Sequence, residues 1–185
     1  MTNDVKPPEI ILIGGVSGSG KTTVGTLLAE RLGWDYAEAD DFHSPENIAK
    51  MRSGVPLTDA DRMPWLRAIG VWMDERIRAG EPGVVTCSAL KRTYRDVLLD
   101  GRTDRVGLVL LDGDRDTIAA RMRQRKGHFF KPELLDSQFA DYERPGPDED
   151  VLTVPVEETP DEIVDRIRTA LHLSAGDGPP TRGSS

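Results

Sequence analysis

Four apolar residues in a row, Ile10 to Ile13, lead straight into the glycine-rich run GGVSGSGKTT at positions 14–23. A short unbroken apolar run is what a strand buried on both faces requires. The glycines then allow a tight curl, and apolar residues return at Val24, Leu27, Leu28 and Leu32 with helical spacing. A buried strand, a tight loop and a helix in immediate succession commit the chain to a layered α/β architecture. Within the loop, Gly15, Gly20, Lys21 and Thr22 fit the pattern G-x-x-x-x-G-K-[ST]. Such a loop turns several backbone N–H groups inward, and the following helix adds its positive N-terminus, so the whole forms a phosphate cradle. Lys21 is expected to reach the β- and γ-phosphates and Thr22 to hold Mg²⁺ through its hydroxyl. A plain Gly-rich turn at a helix start is the alternative, and the flanking strand and helix argue against it.

Further short apolar runs follow: WDYAEA at 34–39, GVVTCS at 83–88, VGLVLLD at 106–112 and VLTVPV at 151–156. Helical stretches are expected between them, at 65–79, 91–99, 116–125, 132–142 and 161–173. Thr159, Pro160 and Glu162 mark the start of the last helix, and Asp114 is an N-cap candidate for the helix holding Ile118 and Met122. Strands alternating with helices predict βαβ units: a three-layer α/β/α fold around a five-stranded parallel sheet. Ligands bind such sheets beyond the carboxyl ends of the strands, so the residues after each strand carry most of the functional information.

The chain is acidic, with a formal net charge of −8, which is a poor match to nucleic acid. Its single cysteine, Cys87, permits no internal disulfide and reads as a small buried residue. The longest apolar runs fall far short of a membrane span, and MTNDVKPPE lacks an apolar signal core. A cytoplasmic protein with neither nucleic-acid nor membrane partners is expected. One domain covers residues 1–173, and the Gly/Pro/Ser-rich stretch 174–185 reads as a flexible tail.

Neither an [NT]-K-x-D base reader nor a D-x-x-G switch element is found, so a guanine-nucleotide switch is disfavoured. Four segments suit a small-molecule kinase instead. EADDFH ends the second strand, where Glu38 and Asp40 alternate; an acid there binds Mg²⁺ through water or accepts a proton from an attacking hydroxyl. The plain alternative is a solvated acidic turn. TDADRMPWL has capping-box spacing from Thr58 to Asp61, with Pro64 interrupting the segment. Arg62 there is either a substrate clamp or an exposed helical arginine, while Trp65, Leu66 and Trp72 read as core. CSALKRTYRD gathers Lys91, Arg92 and Arg95 just after the third strand, where a small anionic substrate fits. RMRQRKGHFFKPELL at 121–135 is strongly basic, with Arg121 and Arg125 on one helical face. It reads as a lid over the transferring phosphoryl group or as a solvated basic face. Asp112, ending LVLLD, imitates a Walker B acid, but Asp40 fits the small-kinase pattern better.

The segments GVSGSGKTT, ADDFHSPENIAKMRSGVPLTDADRMPWL, CSALKRTYRD, RKGHFFKPELLDSQF and ERPGPDEDVL resemble the small phosphate-loop gluconokinases, over most of the chain. The resemblance implies an adenylate-kinase-like fold with a mobile lid at about 121–135 and a substrate-closing helical segment. It implies ATP on Gly15, Ser17, Gly18, Ser19, Gly20, Lys21, Thr22 and Thr23, with Arg121 and Arg125 facing the phosphates. Asp40 is implied as the acid nearest the acceptor hydroxyl and, with Thr22, the metal. Arg62, Lys91 and Arg95 are implied as holders of D-gluconate, with His128 as a lid contact and RPGPDED as the loop near adenine. Lys21, Asp40 and Arg125 would then be catalytic, and a homodimer is implied. Glu38 departs from the pattern, standing where many relatives have the shorter Asp. A shikimate or nucleoside monophosphate kinase is the nearest alternative activity, and a non-catalytic nucleotide-binding regulator the alternative of another class.

Overall fold

All five expected strands form and pair in parallel, in the order β2-β3-β1-β4-β5, in a computed structural model describing residues 6–124 and 132–173. They are β1 (Ile10–Gly14), β2 (Asp35–Glu38), β3 (Gly83–Thr86), β4 (Val106–Asp112) and β5 (Val151–Pro155). β1 is central, with β3 on one side and β4 on the other. Its residues alternate between faces, as a strand dictates. Ile11 and Ile13 join one core, with α1 (Lys21–Leu32), α5 (Arg115–Gln124), α6 (Pro132–Asp141) and α7 (Pro160–Ala170). Ile10 and Leu12 join the other, with α3 (Asp59–Ala79) and α4 (Arg92–Leu99). Helices on both faces of a parallel sheet make the expected three-layer α/β/α fold.

Two elements differ from the sequence expectation. Between β2 and α3 the chain forms a 3-10 turn (Ala39–Phe42) and a helix, α2 (Pro45–Arg52), started by Ser44 capping Asn47 N–H and by Pro45. And α3 begins at Asp59, running through Pro64 rather than being interrupted by it. The capping box explains this: Thr58 and Asp61 exchange reciprocal side-chain to backbone bonds and hold the first turn. Four buried side chains, Trp65, Leu66, Ile69 and Met73, then offset the one backbone donor that Pro64 lacks. The cap at Asp114 forms, accepting from Thr117 N–H at 2.7 Å. Thr159 caps α7 by accepting from Glu162 N–H, and the Glu162 carboxylate takes the Thr159 hydroxyl.

Candidate active site

The phosphate loop joins β1 to α1 at the carboxyl edge of the sheet. Gly15 N–H donates to Ser88 O at 3.1 Å, so the loop is tied at its base to the segment following β3. Gly15 has φ 140°, and a Cβ there would lie 2.8 Å from Ser19 Oγ and 2.9 Å from Leu111 O. Gly18 has φ 79°, and its Cβ would lie 2.6 Å from Met122 Cγ on α5. A side chain at either position would strain the backbone and collide with a neighbour. Lys21 folds back over the loop, donating from Nζ to Gly15 O at 2.9 Å and Val16 O at 3.0 Å. Burial lowers its pKa to about 8, against the opposing pull of the Asp40 and Glu38 carboxylates. Two carboxylates therefore lie close enough to Lys21 to act on it. Cys87 is buried and its pKa is pushed up to about 12, mainly by desolvation, so it is a neutral thiol with a structural place. Ser19 Oγ, within the phosphate loop, is buried without a hydrogen-bond partner.

The acidic segment after β2 places its groups differently from a simple alternation. β2 ends at Glu38, and Asp40 stands in the 3-10 turn that follows. Glu38 accepts from the Tyr36 hydroxyl at 2.9 Å. Asp40 is exposed and acts electrostatically on both Lys21 and His43. The His43 ring stacks on Trp65 at 4.3 Å between centroids, and Trp65 Nε1 donates to Ala39 O at 2.6 Å. Burial pushes the His43 pKa down and Arg62 adds to that shift, while Asp40 opposes it. Asn47 Nδ2 donates to Asp61 O at 2.9 Å, and Lys50 pairs with Asp61 at 2.8 Å, so α2 is latched to the first turn of α3.

Across from this segment, the first turns of α3 and α4 converge on Tyr94. Arg62 Nη1 donates to the Tyr94 hydroxyl at 2.9 Å, and that hydroxyl donates to Asp59 Oδ1 at 2.5 Å. Lys91 Nζ reaches the same Asp59 oxygen at 3.3 Å. Both cations also lie over the Tyr94 ring, 5.7 Å and 5.6 Å from its centroid. Arg62 and Lys91 are thus brought together by two residues, Asp59 and Tyr94, that sequence reasoning missed. The i, i+3 spacing of Lys91 and Tyr94 was the available signal.

Arg95 requires a correction. The sequence suggests a substrate contact, but its side chain is fully buried. Nε and Nη2 bind Glu149 at 2.8 Å and 3.2 Å, while Nη1 donates to Ala89 O and Leu90 O, both at 3.0 Å. With its donors engaged inside the protein, Arg95 fastens the RPGPDED loop to α4. Arg92 does the same at the surface, binding Asp148 with two bonds of 2.9 Å and 2.6 Å. Glu143 N–H completes the seam at Leu90 O, 2.8 Å. Asp112 ends β4 beside β1 and lies 3.9 Å from Arg144. Arg121 lies on α5, next to the Met122 that meets Gly18. Arg125, His128 and the rest of 125–131 lie outside the described residues, as does the tail from 174.

The oxygens available near the loop are the Thr22 hydroxyl and the Asp40 and Glu38 carboxylates, a hard donor set suited to Mg²⁺. Among the described residues no three of His, Cys, Asp and Glu gather into a metal cage.

A family model described as an AAA domain matches residues 10–145. The chain is 46% identical over 170 residues to the gluconokinase of Gluconobacter oxydans (strain 621H), covering 92% of this chain and 94% of that protein. It superposes on a gluconokinase from Sinorhizobium meliloti 1021 with a TM-score of 0.79 at 44% identity, covering 91% and 94%. A sugar kinase from Janibacter sp. HTCC2649 matches with a TM-score of 0.84 at 46% identity, covering 94% of this chain and 99% of the other. With 44–46% identity over more than nine-tenths of its length, the chain belongs to the gluconokinase family.

Proposed function

We propose that the protein transfers the γ-phosphoryl group of ATP to the terminal (C6) hydroxyl of D-gluconate, giving 6-phospho-D-gluconate and ADP. The observation that carries this reading is the pairing of a phosphate loop with the Arg62–Lys91–Tyr94 cluster at the same sheet edge. Arg62 and Lys91, positioned by Asp59 and Tyr94, present two cations to a carboxylate flanked by hydroxyls. The ATP phosphates rest on residues 15–23, with Lys21 on the β- and γ-phosphates and Ser19 Oγ offered to them. The acceptor oxygen bonds to the γ-phosphorus as the bond from phosphorus to the β-phosphate oxygen breaks, and ADP leaves. Asp40 orients the hydroxyl and takes its proton. Mg²⁺, held by Thr22 and Asp40, would neutralise charge on the β- and γ-phosphates. Positioning and charge neutralisation supply most of the acceleration, as phosphoryl transfer demands.

Arg121, together with Arg125 and His128 from the basic 121–135 segment, is assigned to the phosphate and substrate side of the closed site. The chain is read as one kinase domain over residues 1–173, working as a cytoplasmic homodimer. Among the described residues no helix is long and apolar enough to cross a membrane. Light scattering on the purified protein tests the dimer. A coupled assay of ADP release tests the activity, with gluconate, shikimate, AMP and common sugars as acceptors. Turnover on gluconate well above the rest is expected, and none on gluconate would overturn the reading.

A further inference from the structure

Ser17, two residues past Gly15, is held from a distant part of the chain. Its backbone N–H donates to Gln138 Oε1 at 2.6 Å, and Gln138 Nε2 donates to Ser17 Oγ at 2.8 Å. A backbone N–H only donates, so it fixes which end of the amide faces it, and the other end is left to the hydroxyl. Both ends of one side chain on α6 thus act on a single phosphate-loop residue. The next residue, Gly18, is met from the other side by Met122 of α5.

Packing does not account for the choice of glutamine. α6 is already docked by Leu135, which is 1% exposed, and by Phe139 against the same core. Asp136 adds an ion pair to Arg115 on α5. An apolar residue at 138 would serve that docking equally well. What glutamine adds is a fixed partner for one N–H and one hydroxyl of the phosphate cradle.

We infer that Gln138 is a positioning residue for phosphoryl transfer. By engaging Ser17 it pins the tip of the loop, so that the N–H groups from Gly18 onward hold the γ-phosphate in line with the acceptor. The effect belongs to alignment in the reaction, not to the grip on gluconate, which lies at Arg62, Lys91 and Tyr94. The inference rests on the ATP-dependent reading above, and the experiment separates the two.

Steady-state kinetics with MgATP and gluconate are measured for the wild type, Gln138→Leu, Ser17→Ala and the double variant, with thermal melts of each. Gln138→Leu is expected to lower kcat roughly tenfold, the scale at which loss of alignment acts, while KM for gluconate stays within about threefold. The double variant is expected to be no slower than Gln138→Leu by more than about twofold, because the bond that Ser17→Ala removes is already broken in Gln138→Leu. An unchanged kcat in Gln138→Leu overturns the inference, as do losses that multiply in the double variant. Should Gln138→Leu fail to fold, Gln138→Ala, which also removes both bonds, decides by the same readout: a kcat lowered severalfold supports the inference and an unchanged one overturns it. Absence of gluconate-dependent ADP from the wild type rejects the functional reading. Normal turnover in both wild type and Gln138→Leu rejects only the role of Gln138.

Discussion

Lys21 donates to two carbonyls of its own loop, and enclosure holds its pKa at about 8. Its folded value lies below the unfolded one, so between about pH 8 and 10.5 the unfolded chain binds the extra proton and this group favours folding more as pH rises. Binding works in the opposite sense. ATP wants the ammonium charged, so above pH 8 the protein must take up a proton to bind it. KM for ATP is therefore expected to climb above about pH 8, approaching tenfold per pH unit. Lys21→Arg, which keeps its charge, should flatten that profile, and a wild-type KM level to pH 9.5 would contradict the assignment. Tyr94 offers a second test. Tyr94→Phe removes the hydroxyl shared by Arg62 and Asp59. A charge-assisted bond is worth about 1.5–3 kcal/mol, so KM for gluconate should rise roughly tenfold or more while KM for ATP holds.

At the scale of elements, the seam between α4 and the 143–150 loop depends on the buried Arg95–Glu149 pair. Arg95→Ala would leave the Glu149 carboxylate, only 8% exposed, without its partner. A loss of about 3–5 kcal/mol is expected in urea unfolding, and replacing both residues with apolar ones should recover much of it. A loss below about 1 kcal/mol would place the strength of the seam elsewhere, for instance at Arg92 and Asp148. This pair also marks where sequence reading ran out. The strands were legible because burial on both faces leaves continuous apolar runs, and the phosphate loop because its glycines have few substitutes. An arginine one helical turn from Lys91 carries no mark of being turned inward, since Arg95 and Arg92 read alike in the sequence. α2 was missed because its buried face amounts to Asn47 alone, which leaves no apolar stripe to detect. Gln138 was missed for a related reason: a lone amide on a helix has no spacing signature until the loop it touches is in place.

Across the whole molecule, carboxylates paired with arginine or lysine, or with backbone N–H groups, tie neighbouring helices and loops to one another. Asp61 is held at about 2 by Lys50 and the backbone at Thr58, and Asp74, Asp136, Asp148, Glu149 and Glu158 are each lowered by an arginine partner. Their folded values lie below the unfolded ones, so this stability is present above about pH 4.5 and drains away as pH falls through the folded values. The melting temperature should be nearly level from pH 7 to 5 and drop steeply between pH 4 and 2. A level curve down to pH 3 would show that these pairs contribute little.

The strand order has a consequence for biosynthesis. β1 ends at Gly14, yet its two neighbours begin only at Gly83 and Val106. Synthesis runs at about 5–20 residues per second, so Ile10 to Ile13 spend several seconds outside the ribosome as an unpaired apolar strand. Chains arrested before residue 112 are therefore expected to be protease-sensitive and to engage chaperones, whereas chains extended past 155 become resistant. The loop that defines the catalytic centre is thus among the first parts made and among the last to take its shape.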